Sequence, residues 1–139
     1  GGRITIPAVA VGVGRGAIET AVAHAKEREQ FGMKIHEFQG VSFLLADMRS
    51  SLDASELLLR RAAALRDSGR PYSVEASISK LFTTDSTMKI TTDAVQILGG
   101  SGYTRDFPAE RYMREAKILQ IFEGTNQIQR VIVGRALTK

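Results

Sequence analysis

The chain has 139 residues and a mass of 15.2 kDa, which suits a single domain. Its 43% hydrophobic and 24% charged residues exclude a disordered or fibrous protein, and its three prolines and plentiful helix formers disfavour an all-β fold. The net charge of +4 permits an anionic partner, but the basic residues are scattered among acids, so no nucleic-acid partner is predicted.

Cysteine is absent, which excludes disulfides and thiolate metal sites and suits the reducing cytoplasm. The two histidines, His24 and His36, are too few for a histidine-rich metal centre, so no metal site is predicted. No apolar run approaches the roughly 20 residues of a membrane-spanning helix, and no membrane insertion is expected. The chain begins Gly1-Gly2-Arg3 without an initiator methionine, which suggests a piece of a longer protein.

Small and apolar residues recur at helical spacing near the start of the chain and predict a helix over Ile4–Gln30. The predicted inner side consists of Val9, Val13, Ala17, Ala21 and Ala25. This side carries little bulk, so we expect a neighbouring helix to approach closely. Glycines in the first half each disfavour the helix by about 1 kcal/mol relative to alanine, so packing must stabilise it. The segment Phe31–His36 breaks the pattern and is predicted to be a loop.

The second helix is predicted from about Glu37 to Asp67, because one side repeats in steps of four and three. That side consists of Val41, Leu45, Met48, Leu52, Ser55, Leu59 and Ala62. Gly69 and Pro71 then predict a chain reversal. A third long helix follows over Tyr72–Leu98. Its predicted inner side consists of Val74, Ile78, Leu81, Asp85, Met88, Thr92 and Val95, of which Asp85 and Thr92 are polar interruptions.

The last forty residues predict one short helix and one longer helix. Gly99–Gly102 cannot continue the third helix, and the chain as far as Pro108 is predicted to be an irregular connection. A short helix begins near Ala109, and Thr125 is a candidate N-cap for a last helix over Asn126–Ala136. The predicted fold is therefore all-α, an up-down four-helix bundle with an additional short helix, forming one domain over residues 1–139.

Three local features could bind a ligand, and each also has a simpler structural explanation. The glycines of Gly99–Gly102 could present backbone N–H groups to a phosphate, or could only end a helix. The helix start at Thr125 could bind an anion or a polar ring through its free N–H groups, or could only be capped. Arg28 and Phe31 place a guanidinium and an aromatic ring at a helix end, where the arginine could simply satisfy terminal carbonyls.

Glu123 is the candidate with the most distinctive surroundings. It lies between the apolar pair Ile121-Phe122 and Gly124, directly before a predicted helix start. A carboxylate in such a place is expected to be partly desolvated, which makes it a stronger base and suits general-base catalysis near neutral pH. The alternative is an ordinary glutamate in a surface turn.

These features occur together in an order and spacing that resemble one protein family. The motifs are Arg28–Gly32, Phe38-Gln39, Leu45–Met48, Asp93–Tyr103 and Ile121–Arg130. They resemble the C-terminal domain of the acyl-CoA dehydrogenases over nearly the whole chain, and several motifs in order are far more specific than a lone glycine motif. The resemblance implies that an N-terminal helical domain and a middle β domain precede this bundle in a longer enzyme.

The resemblance implies an FAD-dependent enzyme that converts an acyl-CoA thioester into a trans-2-enoyl-CoA. By position, Glu123 is the implied base that removes the α-proton while the β-hydrogen leaves as hydride to flavin N5. The implied hydrogen-bond donors to the thioester oxygen are the backbone N–H of Glu123 and a ribityl hydroxyl of FAD. Some relatives carry their base on the first helix, next to the position of Arg3. Gly2 occupies that place here, which favours Glu123.

The resemblance also implies which residues bind FAD and substrate. Contacts to the FAD of a neighbouring subunit are implied for Arg28, Gln30, Phe38, Gln39, Gln96, Gly99 and Gly100. Thr125 and Gln127 are implied to contact the subunit's own FAD, and Arg3 and Gly124 the acyl-CoA.

The resemblance further implies partners, a location and rival activities. The implied partners are further copies of the chain, in a homodimer or homotetramer, and an electron-transfer flavoprotein as electron acceptor. The implied location is the bacterial cytoplasm or, in a eukaryote, the mitochondrial matrix. An acyl-CoA oxidase, a decarboxylating glutaryl-type relative and a non-enzymatic oligomerising module remain alternatives, and the acyl chain length is not indicated.

Overall fold

A computed structural model describes all 139 residues, and most of them lie in five α-helices. The helices are α1 (Gly2–Glu27), α2 (Gln39–Asp67), α3 (Ser73–Leu98), α4 (Ala109–Leu119) and α5 (Asn126–Leu137). The first three run up, down and up, joined by short connections. Helix α3 lies at the centre and packs against the other four helices. The all-α up-down bundle predicted from the sequence is therefore confirmed.

Helix α1 ends at Glu27, so the predicted helix extended three residues too far. The chain then forms a short hairpin whose strands are β1 (Glu29–Gln30) and β2 (Met33–Lys34). Phe31 and Gly32 form its turn with φ angles of 54° and 80°, the left-handed pair that a two-residue hairpin needs. Strands of two residues carry no alternation for a sequence pattern to reveal. The predicted loop after the first helix is thus a hairpin followed by a 3-10 turn over Ile35–Glu37.

The inner face of α1 was predicted correctly in its second half and wrongly in its first. Ala17, Ala21 and Ala25 are fully buried, but Val9 is 51% exposed and Val13 is half-buried. Repeated steps of four residues drift around a helix with 3.6 residues per turn. The buried face instead steps by three from Ala17 to Gly14. Its first-half members are Ile4, Pro7, Ala10, Val11 and Gly14.

Helix α1 also has the length and composition of a membrane span. An 18-residue window of this helix reaches a mean hydropathy of 1.3, so the expectation that no segment was long and apolar enough was wrong. The small residues of α1 pack in this structure against α2 and α3, and Ala10, Ala17, Ala21 and Ala25 have no exposed surface. Core helices of folded bundles meet the same length and composition criteria.

Helix α2 buries the predicted face, whereas α3 does not. All seven predicted inner residues of α2 are buried or half-buried, with Met48 and Leu52 in the main core. In α3 the predicted inner residues are half-buried or exposed, and Thr92 faces solvent. The buried face of α3 is largely polar instead. It includes Ser77, Ser79, Lys80, Thr83, Thr84, Thr87 and Thr91.

Hydrogen bonds explain how α3 tolerates this polar face in the centre of the bundle. Thr84 donates to the Lys80 carbonyl at 2.7 Å, and Thr91 donates to the Thr87 carbonyl at 2.9 Å. Thr87 donates to the carbonyl of Ala10 on α1 at 3.1 Å. A buried hydroxyl that finds an acceptor avoids most of the cost of desolvation. Small hydroxyl residues therefore let α1 and α2 approach α3 closely.

The up-down order of the helices places different helix termini at each end of the bundle. The Gly2 end contains the starts of α1 and α3, where Ile4, Ala62 and Ala76 form a small core. The Gly99 end contains the end of α1, the start of α2 and the end of α3. Ala25, Met48, Ala94 and Leu98 belong to the main core toward that end. Helix α5 packs along α3 nearer the Gly2 end, at Lys80–Asp85.

Candidate active site

The turn before α5 places Glu123 in an unusual backbone conformation. Glu123 has φ 56° and Gly124 has φ 89°, so two successive residues adopt left-handed geometry. For a residue with a side chain this conformation costs about 1–3 kcal/mol, and such residues cluster at functional sites. The backbone N–H of Phe122 donates to the carbonyl of Ile118, which is the last bond of the helical series before the turn. The backbone N–H of Glu123 donates to no group of the chain. This turn presents a carboxylate and a free N–H together.

The side chain of Glu123 lies over the start of α1. A methyl group on Gly2 would meet the carboxylate oxygen Oε2 and would lie 3.0 Å from Cδ of Glu123. The position on the first helix that the resemblance linked to an alternative base therefore lies beside Glu123. Because Gly2 has no side chain, the carboxylate occupies that space.

The chain alone does not bury Glu123, and the expected desolvation is not found. Glu123, Phe122 and Gly124 are all exposed, and Phe122 keeps 40% of its surface accessible. The apolar neighbours on which the expectation rested point partly into solvent, since Ile121 is 48% exposed. The strained backbone, rather than burial, distinguishes this glutamate.

Arg3 lies beside the same turn but its guanidinium binds α3. It donates to the carbonyl of Ser73 at 3.1 Å, to the Ser73 hydroxyl at 3.1 Å and to the Ser77 hydroxyl at 2.9 Å. These bonds hold the start of α1 against the start of α3. Arg3 follows Gly2 in the chain, but the shallow cavity that it lines with Arg70 lies at the start of α3 and contains no residue of the Glu123 turn.

The start of α5 confirms the predicted N-cap. Thr125 Oγ1 accepts a hydrogen bond from the N–H of Ile128 at 3.3 Å. Gln127 is exposed, and its backbone N–H donates to no group of the chain. A cavity of about 430 Å³ opens here between α3, α4 and α5, and Thr125, Gln127 and Arg130 contribute to its wall. This helix start can therefore accept an anion or a polar ring.

A buried polar network behind the turn was not anticipated. Asn126 accepts from Lys80 at 2.8 Å, and it donates to Thr84 at 2.8 Å and to Asp85 at 2.7 Å. Gln129 donates to the carbonyl of Gly124 at 3.0 Å. A signal did exist in the sequence: polar residues of α3 recur in steps of three and four. This stripe consists of Ser77, Lys80, Thr84, Thr87 and Thr91.

The remaining predicted residues gather at the Gly99 end. All except Phe38 are exposed, and Phe38 contacts Phe31 edge to face at 6.2 Å. They are Arg28, Gln30, Phe38, Gln39, Gln96, Gly99 and Gly100. Arg28 takes part in none of the ion pairs of the chain. Burial of His24, and then the charge of Arg28, lower the pKa of that histidine.

The glycines at the end of α3 differ in their surroundings. Gly99 ends the helix with φ 64°, and a methyl group on Gly99 or Gly100 would meet no atom within 4 Å. Gly102, by contrast, is buried, and a methyl group there would lie 2.8 Å from both Leu98 Cβ and the Val95 carbonyl oxygen. Gly99 and Gly100 thus expose open backbone, whereas Gly102 permits close packing.

The predicted residues therefore form two groups at opposite ends. Along α3, 19 residues separate Lys80, which contacts the start of α5, from Gly99. At 1.5 Å per residue this corresponds to about 28 Å. Glu123, Gly124, Thr125, Gln127 and Arg3 belong to one group, and the seven residues of the Gly99 end form the other.

The family model for the acyl-CoA dehydrogenase C-terminal domain matches residues 1–138. The chain belongs to this family. A chain in the structure of the electron transferring flavoprotein of Acidaminococcus fermentans superposes on it with a TM-score of 0.99 at 52% identity. Butyryl-CoA dehydrogenase from Megasphaera elsdenii gives a TM-score of 0.97 at 44% identity, and PigA with FAD and proline gives 0.94 at 32%. The resemblance seen in the motifs is therefore confirmed over the whole acyl-CoA dehydrogenase domain.

The match covers this chain almost completely and its relatives only in part. The three structures cover 100%, 99% and 98% of this chain, but the matched region is 37%, 36% and 36% of theirs. Curated relatives that are 52% identical over 138 residues are likewise matched over 36% of their length. The chain thus spans about a third of the relatives it matches.

Proposed function

We propose that this chain is the C-terminal domain of a longer, FAD-dependent acyl-CoA dehydrogenase, with Glu123 as the base that removes the α-proton of the substrate. The observation that carries the proposal is the turn at Glu123, where a left-handed residue presents its carboxylate and an unpaired N–H side by side. Membership in the family and the likeness to butyryl-CoA dehydrogenase support an acyl-CoA thioester as the substrate class.

The chain's own groups suit the removal of this proton. The α-proton of a thioester becomes acidic when its carbonyl oxygen accepts hydrogen bonds, and the free N–H of Glu123 is a suitable donor. The carboxylate then takes the α-proton, and the α-carbon–hydrogen electron pair forms the double bond as the β-hydrogen leaves with its electron pair. Bound flavin would accept that hydride. The unpaired proton acceptor and N–H donor both belong to one residue, so the same turn places both of them beside the substrate.

The exposed surface around Glu123 fits a site completed by other parts of a longer enzyme. Phe122 and Ile121 flank the carboxylate with apolar surface that solvent reaches in this chain. We infer that a further domain covers this surface and supplies the desolvation that the chain alone lacks. A dry surrounding makes a carboxylate a stronger base and strengthens the hydrogen bond to the thioester oxygen.

The residues at both ends of the bundle fit a flavin dinucleotide. Thr125 and Gln127 offer a hydroxyl and free N–H groups at the start of α5, and the cavity beside them has room for part of a cofactor. At the Gly99 end, Arg28 has no anionic partner and suits a pyrophosphate, while Gly99 and Gly100 leave the backbone open to close approach. PigA, a relative in fold and sequence, was solved with FAD.

The distance between the two groups supports sharing of flavins between subunits. About 28 Å of α3 separate them. We propose that one copy holds its own FAD at Thr125 and Gln127 and contacts the FAD of a second copy at the Gly99 end, within a homodimer or homotetramer. Phe31, at 90% exposure, provides apolar surface for such a contact. An electron-transfer flavoprotein is the proposed electron acceptor, and the cytoplasm or mitochondrial matrix the proposed location.

The substitution Glu123→Gln in the full-length, flavin-loaded protein tests the proposal. Glutamine preserves the backbone N–H and nearly the same shape, so acyl-CoA should still bind while proton removal is lost. A lost general base typically costs about 100- to 10,000-fold in rate. The matched control is Glu115→Gln on the exposed side of α4, which should leave the rate unchanged.

Two measurements separate the base from the rest of the reaction. The first is flavin reduction on anaerobic mixing with a series of saturated acyl-CoA thioesters. The second is exchange of α-hydrogens in deuterated water on a 3-thia-acyl-CoA, which has no β-hydrogen to lose. Exchange at the parent rate in Glu123→Gln would show that another group is the base and would overturn the proposal. Rapid reoxidation of the parent flavin by oxygen would instead favour the oxidase.

A further inference from the structure

Lys80 is a fully buried lysine in the middle of α3. It has no exposed surface and is among the largest fully buried side chains of the chain. Its ammonium donates to Asn126 Oδ1 at 2.8 Å and takes part in no ion pair. Burial lowers the pKa of Lys80, and the carboxylate of Asp85 partly opposes this effect. A buried ammonium with one acceptor is costly, so its presence calls for a function.

Asn126 links Lys80 to the turn that contains Glu123 and Gly124. Its side-chain oxygen accepts from Lys80, and its side-chain nitrogen donates to Thr84 and Asp85. Its backbone N–H donates to the carbonyl of Gln120 at 3.0 Å. If the amide were rotated by half a turn, its NH₂ group would face the ammonium of Lys80. Lys80 therefore fixes which way the amide of Asn126 points.

The segment that carries Glu123 is fastened at both ends to this network. Gln120 precedes the segment and donates to Asp85 Oδ1 at 2.8 Å, the same oxygen that accepts from Asn126 at its far end. Between them, the Gly124 carbonyl accepts a hydrogen bond from the side chain of Gln129, a residue that is 1% exposed. The left-handed backbone of Glu123 lies inside this closed segment.

A left-handed glutamate persists only where its surroundings hold it in place. The network described here supplies these constraints, and Lys80 is its one buried cation. We propose that Lys80 is a positioning residue, which acts through Asn126 to hold the Glu123 carboxylate and N–H in the geometry for α-proton removal. This inference rests on the proposed role of Glu123 as the base.

The test is Lys80→Met in the full-length, flavin-loaded protein, with Lys89→Met as the matched control. Methionine fills most of the space of the buried lysine and removes only its donor. Lys89 is on the same helix, but its side chain is 67% exposed and pairs with Asp93 at the surface. A reacting group misplaced by about 1 Å can cost on the order of 100-fold in rate. We therefore expect Lys80→Met to slow α-hydrogen exchange on a 3-thia-acyl-CoA by about 10- to 100-fold.

Binding and chemistry should separate in this variant. Flavin content and the Kd of the 3-thia-acyl-CoA should stay within about threefold of the parent, because Lys80 contacts neither site directly. A double-mutant cycle with Asn126→Ala should be non-additive, since both substitutions break one path. The milder Thr84→Val, which removes one acceptor of the Asn126 amide and leaves Lys80 in place, should slow exchange by about three- to tenfold. It keeps the test open if Lys80→Met does not fold.

Several results would overturn this inference. If the rate of α-hydrogen exchange in Lys80→Met stays within twofold of the parent, with or without a lower Tm, the role of Lys80 is purely structural. An equal loss of acyl-CoA binding and of exchange, or additive effects in the cycle, would lead to the same conclusion. The inference and the proposed function fail separately. If Glu123→Gln keeps exchange, the base is wrong; if it loses exchange and Lys80→Met does not, only the positioning role is wrong.

Discussion

Gly100→Ala and Gly102→Ala should have opposite consequences although the two glycines are neighbours in one turn. A methyl group at Gly102 would lie 2.8 Å from Leu98 Cβ, 2.8 Å from the Val95 carbonyl oxygen and 3.1 Å from Val95 Cα. Real side chains essentially never approach within 3.0 Å of such atoms. Two of the three atoms are backbone of the last turn of α3, so the strain cannot be relieved by rotating a side chain.

The magnitude follows from this geometry. Overpacking a well-filled site typically costs 1–3 kcal/mol, and contacts with backbone atoms favour the upper part of that range. We expect Gly102→Ala to lower the free energy of unfolding by about 2–3 kcal/mol, which corresponds to a fall in Tm of about 10 °C for a domain of this size. Gly100→Ala meets no atom within 4 Å, so its effect should stay within about 0.5 kcal/mol.

Thermal and urea unfolding of the two variants, followed by circular dichroism at the helical band, check this difference. Gly99→Ala is not a suitable control, because φ 64° strains any residue with a Cβ. In the full-length protein, Gly100→Ala should instead reduce the flavin retained after gel filtration, since a methyl group would cover open backbone. Equal stability of the two variants, or a less stable Gly100→Ala, would refute the reasoning.

Three further predictions concern other parts of the bundle. A methyl group on Gly12 would meet no atom within 4 Å, so Gly12→Ala should raise the free energy of unfolding by up to about 1 kcal/mol. A methyl group on Gly16 would lie 3.0 Å from Tyr112 Oη, so Gly16→Ala should give no such gain. Equal denaturation midpoints for the two variants would contradict this. Glu123→Gly relieves the left-handed backbone and should stabilise the domain by about 1 kcal/mol while abolishing α-hydrogen exchange, so a lower Tm would count against strain at this turn. The pKa of His24 is lowered in the folded chain, so the unfolded chain takes up the proton first and stability should fall as the pH drops through about 6.5. His24→Gln should flatten that dependence in pH-resolved melting curves, with the exposed His36→Gln as control.

The sequence predicted the helices well because glycine and proline mark their ends. Gly69 and Pro71 separate two long periodic segments, and Thr125 caps α5 as its residue type suggests. The ends of α1 were harder to place. A strand of two residues has too little pattern to interrupt a helical period, so the predicted helix included the first strand of the hairpin and ended at Gln30.

The orientation of α3 could not be predicted from apolar periodicity. Its neighbours α1, α2, α4 and α5 surround it, and a central helix need not have one apolar side. Threonine and serine satisfy their hydroxyls on the carbonyls of their own helix, which lets them replace apolar residues in the core. The burial of Lys80 was not predicted, because a lysine is normally expected to be exposed to solvent.

The structure gives Glu123 distinctive surroundings, but not the ones expected from the sequence. Burial was expected to make Glu123 a strong base, yet the chain leaves it exposed. The turn at Glu123 and Gly124 is held at Gln120 and Asn126, and both of these residues bind Asp85 on α3, which no local sequence pattern reveals.

The separation of the two groups of residues along α3 has a genetic consequence. If each copy has its base at one end and binds another copy's flavin at the other end, two copies with different defects can complement each other. A subunit with Gly100→Ala still has an intact Glu123, and a subunit with Glu123→Gln still has an intact Gly99 end. In a hybrid assembly, the first subunit's catalytic turn meets the second subunit's sound Gly99 end. Co-expression of the two variants should therefore give more activity per intact Glu123 than the Gly100→Ala homo-oligomer has.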